Sequence, residues 1–259
     1  MVTDLSNNLP LYKKVDTKHF PLHQYMDPET LEYIRSHRPI FPNSHQNREE
    51  LLKILEKIRN IVHDHIPSPS WYRIKDEYNS IHGIRHIMRT MTYVSILANQ
   101  KQKDEDFHRN AIIAAALHDL QRENDMLDQG HAKRGAEWTE INKANIEDYY
   151  DIKLSDTDIN SIKNAVNFHV EKCEEIQENC NYIENKEIVD FLKAADALDR
   201  YRLPSHNWWI KEKYIPIVPD ESLKEFAFNL VVLSEEKYLA GYDGVEAVLS
   251  SIDEILEIK

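Results

Sequence analysis

From residue 47 onward, apolar side chains recur every three or four positions in segment after segment. Nowhere do Val, Ile and Thr alternate over five residues, as a half-buried strand requires. That pattern leaves an all-α chain. The run starting at Asn47 places Leu51, Ile54, Leu55, Ile58 and Ile61/Val62 at helical spacing, and Pro67 and Pro69 end it. The next helix is expected over 81–99, with Ile84, Ile87, Met88, Met91, Val94 and Ile96/Leu97 on one side and a stripe of His82, His86, Arg89 and Tyr93 on another. Further helices are expected over 104–120, containing AIIAAAL (111–117), and over 132–146, 156–174, 186–203, 221–239 and 244–258. Pro204, Pro216 and Pro219 punctuate a loop that carries Trp208 and Trp209. Residues 1–46 hold Pro10, Pro21, Pro28, Pro39 and Pro42 without a sustained period. They read as a proline-rich arm with one short helix over 29–35, ahead of a single helical domain over 47–259.

Composition narrows the functional classes. Among 259 residues, 32 Lys+Arg against 45 Asp+Glu leave a formal charge of -13. An extended nucleic-acid surface, which rests on neutralising phosphates, is therefore not expected. No apolar run approaches the roughly 20 residues of a membrane helix, and MVTDLSNNLPLYKK lacks the basic-then-apolar pattern of a secretory signal. With only Cys173 and Cys180 there is no disulfide framework, so a cytoplasmic location is expected. Five glycines and the absence of GxGxxG and GxxxxGK exclude the usual phosphate-cradling loops.

Four side chains stand where a polar group is costly to bury. His118 and Asp119 directly follow the apolar run 111–117, and Asp196 shares a helical line with Val189, Leu192 and Leu203. His169 lies on the line of Ile159, Ile162, Val166 and Cys173, and His86 sits among its polar stripe. Each has a structural explanation when taken alone. Asp119 could pair with an arginine or cap a helix, and Asp196 could pair with Lys193 or Arg200. His169 could be a hydrogen-bonded core histidine, and the His86 stripe could be solvated. Together they form a mixed nitrogen and oxygen set, drawn from separate helices, of the kind that binds Mn, Fe, Co, Ni or Zn.

Five ordered segments carry a family resemblance: IHGIRHIMRT (81–90), AAALHDLQREND (114–125), GHAKRGA (130–136), AVNFHVE (165–171) and LKAADALDRYR (192–202). The chain resembles the HD-domain metal-dependent phosphohydrolase superfamily over about residues 80–203. The resemblance implies an all-α HD-domain helical bundle, here with extra N- and C-terminal helices. It further implies one or two divalent ions (Mn, Fe, Co, Ni, Zn or Mg), the first held by His86, His118, Asp119 and Asp196. In the binuclear branch two more histidines, matched here by His131 and His169, hold a second ion that Asp119 bridges. The alternative is a single ion with His131 and His169 lining the substrate pocket. One departure stands out: Leu120-Gln121-Arg122 follows the His-Asp pair where many relatives have Ile-Gly-Lys or Ile-Gly-Arg, which leaves the placement of Arg122 open.

The expected reaction is attack by metal-activated hydroxide on a phosphoester of a small anionic substrate, a nucleotide or related metabolite. Asp119 would be central to that chemistry. His82 stands four residues before His86, the offset at which the cyclic-nucleotide phosphodiesterase branch places its acid. Arg85, Arg122 and Lys193 are candidates for gripping phosphate, unless they pair with Asp125 and with Glu187 or Asp190 at the surface. Two other readings stay open. One is a di-iron oxygenase on the same fold. The other is a metal-stabilised interaction module that uses Trp208, Trp209 and the proline-rich arm. His169, Cys173 and Cys180 match no strong zinc template.

Overall fold

A computed structural model describes residues 9–17 and 20–257. Residues 1–8, 18 and 19 of the expected arm, and 258 and 259 at the expected last helix, lie outside the described residues.

The described residues are helical, with no strand among them. Two short helices come first: α1 (Leu11–Thr17) and α2 (Pro28–Ser36). Asp27 starts α2 by accepting from the Thr30 amide, and Pro28 occupies the first turn, where no amide hydrogen is needed. This N-terminal stretch is no loose arm. Leu11, Met26, Leu31 and Ile34 enter the same hydrophobic core as the rest of the chain. The backbone of 22–24 is fastened to two distant segments: Asp125 N donates to Leu22 O (2.7 Å), and Ile81 N donates to Gln24 O (2.8 Å). Prolines break the local period here, so the apolar anchors are too widely spaced to show as one.

The α3 helix (Arg48–Asp64) buries Leu51, Ile54, Leu55, Ile58 and Val62. Its neighbour α4 (Ile84–Gln100) is the central rod, buried from Ile84 to Ala98 and touching α3. After it come α5 (Glu105–Leu117), α6 (His131–Ile141), α7 (Lys143–Tyr150) and α8 (Asp156–Phe168). Two short turns follow, α9 (Cys173–Ile176) and α10 (Cys180–Glu184), and then α11 (Lys186–Leu198), α12 (Glu221–Leu239) and α13 (Gly244–Glu257). The α4 rod also packs on α5, α11, α12 and α13, while α8 packs on α5, α6 and α11. Trp209 is buried and donates to Leu203 O (3.0 Å), whereas Trp208 is part-exposed. No helix among the described residues is long and apolar enough to cross a membrane.

Several helices are shorter than their apolar period suggests. The 132–146 pattern splits at Asn142, whose side chain donates to Trp138 O and competes with the helical ladder. The 156–174 pattern stops at Phe168, and 186–203 turns into a 3₁₀ segment at Asp199. The 104–120 pattern ends at Leu117, so that His118 and Asp119 occupy the exit turn. Finally, α4 starts at Ile84 rather than 81, which leaves His82 in the preceding turn.

Gly83 explains that late start. A Cβ there would lie 2.2 Å from Tyr78 O and 2.4 Å from Glu77 O, both backbone atoms that cannot yield alone. Gly83→Ala should therefore displace the 77–83 turn at a cost of about 1–3 kcal/mol. Thermal unfolding should show a fall of several degrees.

Candidate metal centre

The end of α5, the start of α6, the end of α8 and the last turns of α11 converge beside α4 and bring six expected side chains together. His86 Nε2 and His118 Nε2 lie 3.0 Å apart. Asp119 Oδ2 stands 3.5 Å from the first and 3.8 Å from the second, and Asp196 Oδ1 is 3.4 Å from His86 Nε2. On the other side, Asp119 Oδ1 is 3.1 Å from His131 Nε2 and 3.5 Å from His169 Nε2, with those two nitrogens 3.2 Å apart. Asp119 is thus shared: one oxygen faces one pair of imidazoles, and the other oxygen faces the second pair. Groups His86/His118/Asp119 and Asp119/His131/His169 are both compact and buried enough to hold a metal ion.

The outer nitrogen of each ring decides what the inner one presents. His118 Nδ1 meets Ala115 O (2.8 Å), His131 Nδ1 meets Asp128 O (2.5 Å) and His169 Nδ1 meets Val166 O (2.7 Å). A carbonyl only accepts, so each Nδ1 carries a hydrogen, and in the neutral ring Nε2 is the nitrogen left to bind an ion. His86 Nδ1 meets Asp199 Oδ2 (2.8 Å), a carboxylate kept ionised by Arg89 and Arg202 against the cost of its burial. Burial pushes the His118 imidazole down to about 3, so at neutral pH it carries no extra proton to bridge the gap. Lone pairs facing one another at 3.0–3.2 Å repel unless a cation stands between them. Bonds of about 2.0–2.2 Å to one ion, at right-angled to tetrahedral geometry, put donors about 2.9–3.5 Å apart. Most of the observed spacings fall in that range, and the donor set fits a divalent ion in each half.

Burial opposes the ionisation of Asp119, but Arg122, His118 and His131 outweigh it and hold the carboxyl well below its usual range. His86, His118 and Arg202 likewise hold Asp196 at about 2 against the effect of burial. Of the six side chains only Asp196 is appreciably exposed, at 26 %. Gly135 lets α6 approach: a Cβ there would meet Val166 Cγ1 at 2.8 Å, and the His118 carbonyl lies at 3.5 Å.

The three candidate phosphate cations fare differently. Arg122 stays at the centre, with Nη1 3.3 Å from Asp119 Oδ1. The same atom is 3.1 Å from Nε2 and 3.5 Å from Nδ1 of His131, so it lies against the ring rather than on the axis of the Nε2 lone pair. Segment 120–122 is placed from outside: Leu120 O accepts from Arg73 N (2.9 Å), and Gln121 Nε2 donates to Trp71 O (2.9 Å). Arg85, by contrast, turns away. It donates to Glu235 Oε2 (2.9 Å) and lies 3.6 Å over the Tyr238 ring. Lys193 spends its hydrogens on the carbonyls of Phe168, His169 and Glu171, ending α8 and setting His169 in place. Lys193 has no hydrogen left for a substrate, and Arg85 is fully enclosed, with Nη2 left without a hydrogen-bond partner among the described residues. His169 is committed to Asp119 and Val166, so it does not join Cys173 and Cys180, which are free thiols.

Sequence reasoning missed the surroundings. Arg89 and Tyr93 are fully buried rather than solvated, because Asp199 and Glu235 meet them from elsewhere in the chain. It also missed a polar cluster beside the centre, His23, Glu77, Ser80, His82 and Asp125. His82 Nδ1 is 2.7 Å from Asp125 Oδ1, and its ring centroid stands 5.9 Å from that of His86. Asp125 was visible only as a surface partner for Arg122.

Burial and the neighbouring Asp125 raise Glu77 from 4.5 to about 7. A raised carboxyl means that the folded state keeps its proton while the unfolded chain ionises. Stability is therefore lost as pH climbs from about 4.5 to about 7 and stays lost above that. Glu77→Gln, which mimics the protonated form, should be more stable than the parent at pH 8 by on the order of 2–3 kcal/mol. Urea unfolding at pH 4 should show no such gain.

Comparison with known proteins adds no relative: no family model, curated protein or solved structure matches the chain.

Proposed function

We propose that the chain is a metal-dependent phosphohydrolase of the HD type, cleaving a phosphoester of a small anionic substrate such as a nucleotide or related metabolite. One observation carries this reading: a single buried carboxylate, Asp119, aims each of its oxygens at a separate pair of bare imidazole nitrogens. His86, His118, Asp119 and Asp196 would hold one divalent ion, and Asp119, His131 and His169 a second. Bound there, such ions lower the pKa of water and polarise a phosphoryl oxygen.

The chain's own groups supply the rest. Arg122, beside Asp119, is the one candidate cation at the centre able to meet phosphate oxygens. His82 lies next to His86, and burial, with Arg122 and Arg202, pushes its imidazole well below the ordinary range. It is therefore neutral at rest, and would act by taking a proton from the attacking water and passing it to the leaving oxygen. That is a shuttle rather than a standing acid. The two free thiols suit a reducing compartment such as the cytoplasm.

The test is metal content by mass spectrometry after equilibration with Mn, Fe, Co, Ni, Zn or Mg, followed by a panel of phosphomonoesters, phosphodiesters and nucleotides. Retention of up to two ions, with turnover that His118→Ala abolishes, supports the reading. Oxygen uptake by the iron form without phosphate release would replace it with the oxygenase. A bound ion with no turnover, and a His118→Ala variant that only melts earlier, would favour the interaction module.

A further inference from the structure

Asp125 is fully enclosed, as is Glu77 beside it, and among the described residues no lysine or arginine hydrogen-bonds to either carboxylate. Their partners are polar groups from two segments, 23–24 and 80–82. Asp125 Oδ1 meets His82 Nδ1 (2.7 Å) and Ser80 Oγ (2.8 Å), and Oδ2 accepts from the Gln24 amide (2.5 Å). Glu77 Oε2 meets Ser80 Oγ (3.0 Å), and Oε1 meets His23 Nδ1 (2.7 Å). Ser80 has one hydroxyl hydrogen for two carboxyl groups. Every group is satisfied when Glu77 carries a proton and donates it to Ser80 Oγ, while Ser80 donates to an ionised Asp125. Ser80 Oγ also accepts from the His82 amide (3.1 Å). Asp125 then accepts from His82, so the hydrogen sits on Nδ1. His82 Nε2, for which no hydrogen-bond partner is found among the described residues, is left as a bare lone pair.

We propose that Asp125 is a positioning residue for His82, fixing it as the Nδ1–H tautomer so that Nε2 is the nitrogen offered to the metal centre. Segment 22–24 is then part of the site, because the Gln24 backbone holds Asp125 by its second oxygen. The inference rests on the proposed function only in taking His82 as a group that faces substrate; the tautomer itself is a property of the chain.

Asp125→Asn inverts the demand. The Gln24 amide needs an acceptor, so the new side-chain oxygen must stay at the Oδ2 position. Its NH₂ group then faces His82 Nδ1, which can accept only as a bare nitrogen. Long-range proton–nitrogen spectra of full-length protein labelled with ¹⁵N-histidine and treated with diamagnetic Zn²⁺ read this directly, with His82 assigned by its loss in His82→Gln. The expected result is Nδ1–H in the parent, a switch to Nε2–H in Asp125→Asn, and no change in Glu77→Gln, whose amide donates to Ser80 as the protonated acid does. A parent His82 in the Nε2–H form, or an Asp125→Asn spectrum identical to the parent, would overturn the proposal. If Asp125→Asn does not fold, the parent tautomer decides alone. Metal content measured on the same samples separates this outcome from the proposed function. A chain that retains no ion defeats the phosphohydrolase reading and leaves the tautomer result standing.

Discussion

On the proposed function, Asp119→Ala should weaken both halves of the centre at once, so that metal content and turnover both fall. The expectation follows from sharing. Each of the other ligands serves one half, so His169→Ala should lose the ion between Asp119 and His131 while the pair His86/His118 keeps its own. Asp119 serves both, through Oδ2 and Oδ1 separately. Without it, the second half keeps only the two nitrogens of His131 and His169, and the first keeps His86, His118 and Asp196. The variant also leaves Arg122 buried beside the His131 ring with its Asp119 partner gone, and breaking a buried ion pair from one side is destabilising by several kcal/mol. Asp119→Asn separates the two effects, because it preserves shape while removing the negative charge. Metal content should fall in both variants, but more folding stability should be lost with alanine. Two ions retained by Asp119→Ala would show that the carboxylate does not bridge.

How much of this was legible beforehand depends on the range of the interactions involved. Helices α3, α12 and α13 announced themselves, because their buried faces are set by neighbours three and four residues away. The polar residues that interrupt apolar lines, Asp119, His169 and Asp196, stood out for the same reason, and the structure brings them together with His86, His118 and His131. Helix ends were harder. Lys193 truncates the 156–174 pattern from another helix, and Gly83 delays α4 through two carbonyls in an earlier turn. No period records either. Arg85 and Arg89 were the least legible of all. An arginine on a helix reads as solvated unless the carboxylate that meets it is known, and Glu235 lies about 150 positions further along. The same holds for residues 22–24, where backbone groups and the Gln24 side chain make the attachment to Ile81 and Asp125.

Arg89→Met should cost about 3–5 kcal/mol of folding stability, the range for breaking a buried ion pair from one side. Arg89 is fully enclosed. Its Nε and Nη2 grip Asp199 in a two-pronged bond (2.6 and 3.0 Å), and Nη1 reaches Glu235 (2.8 Å) and Ser234 (3.0 Å). Methionine fills much of the space and strands both carboxylates. Glu235 keeps Arg85, but Asp199 keeps only a long contact to Arg202 (3.5 Å) among its cations. Thermal unfolding should therefore fall by roughly 10 °C, at about 2–4 °C per kcal/mol for a chain of this size. The pH dependence has a definite sign. In the parent, Arg89 is the leading charge that holds Asp199 well below the usual carboxylate range against burial, so the stability it lends is present at neutral pH and fades on acidification. The gap between parent and variant should thus be widest near pH 7 and narrow below about pH 4, where the unfolded carboxylate begins to protonate. A second consequence reaches the metal. Asp199 also holds His86 Nδ1 at 2.8 Å, and loosening such an outer partner typically weakens metal affinity about 10–100-fold. Titration of the metal-free variant should show that loss at the His86/His118 half and leave the His131/His169 half at the parent's affinity. A loss spread equally over both halves would mean that the Arg89 network supports the helices generally, rather than orienting His86.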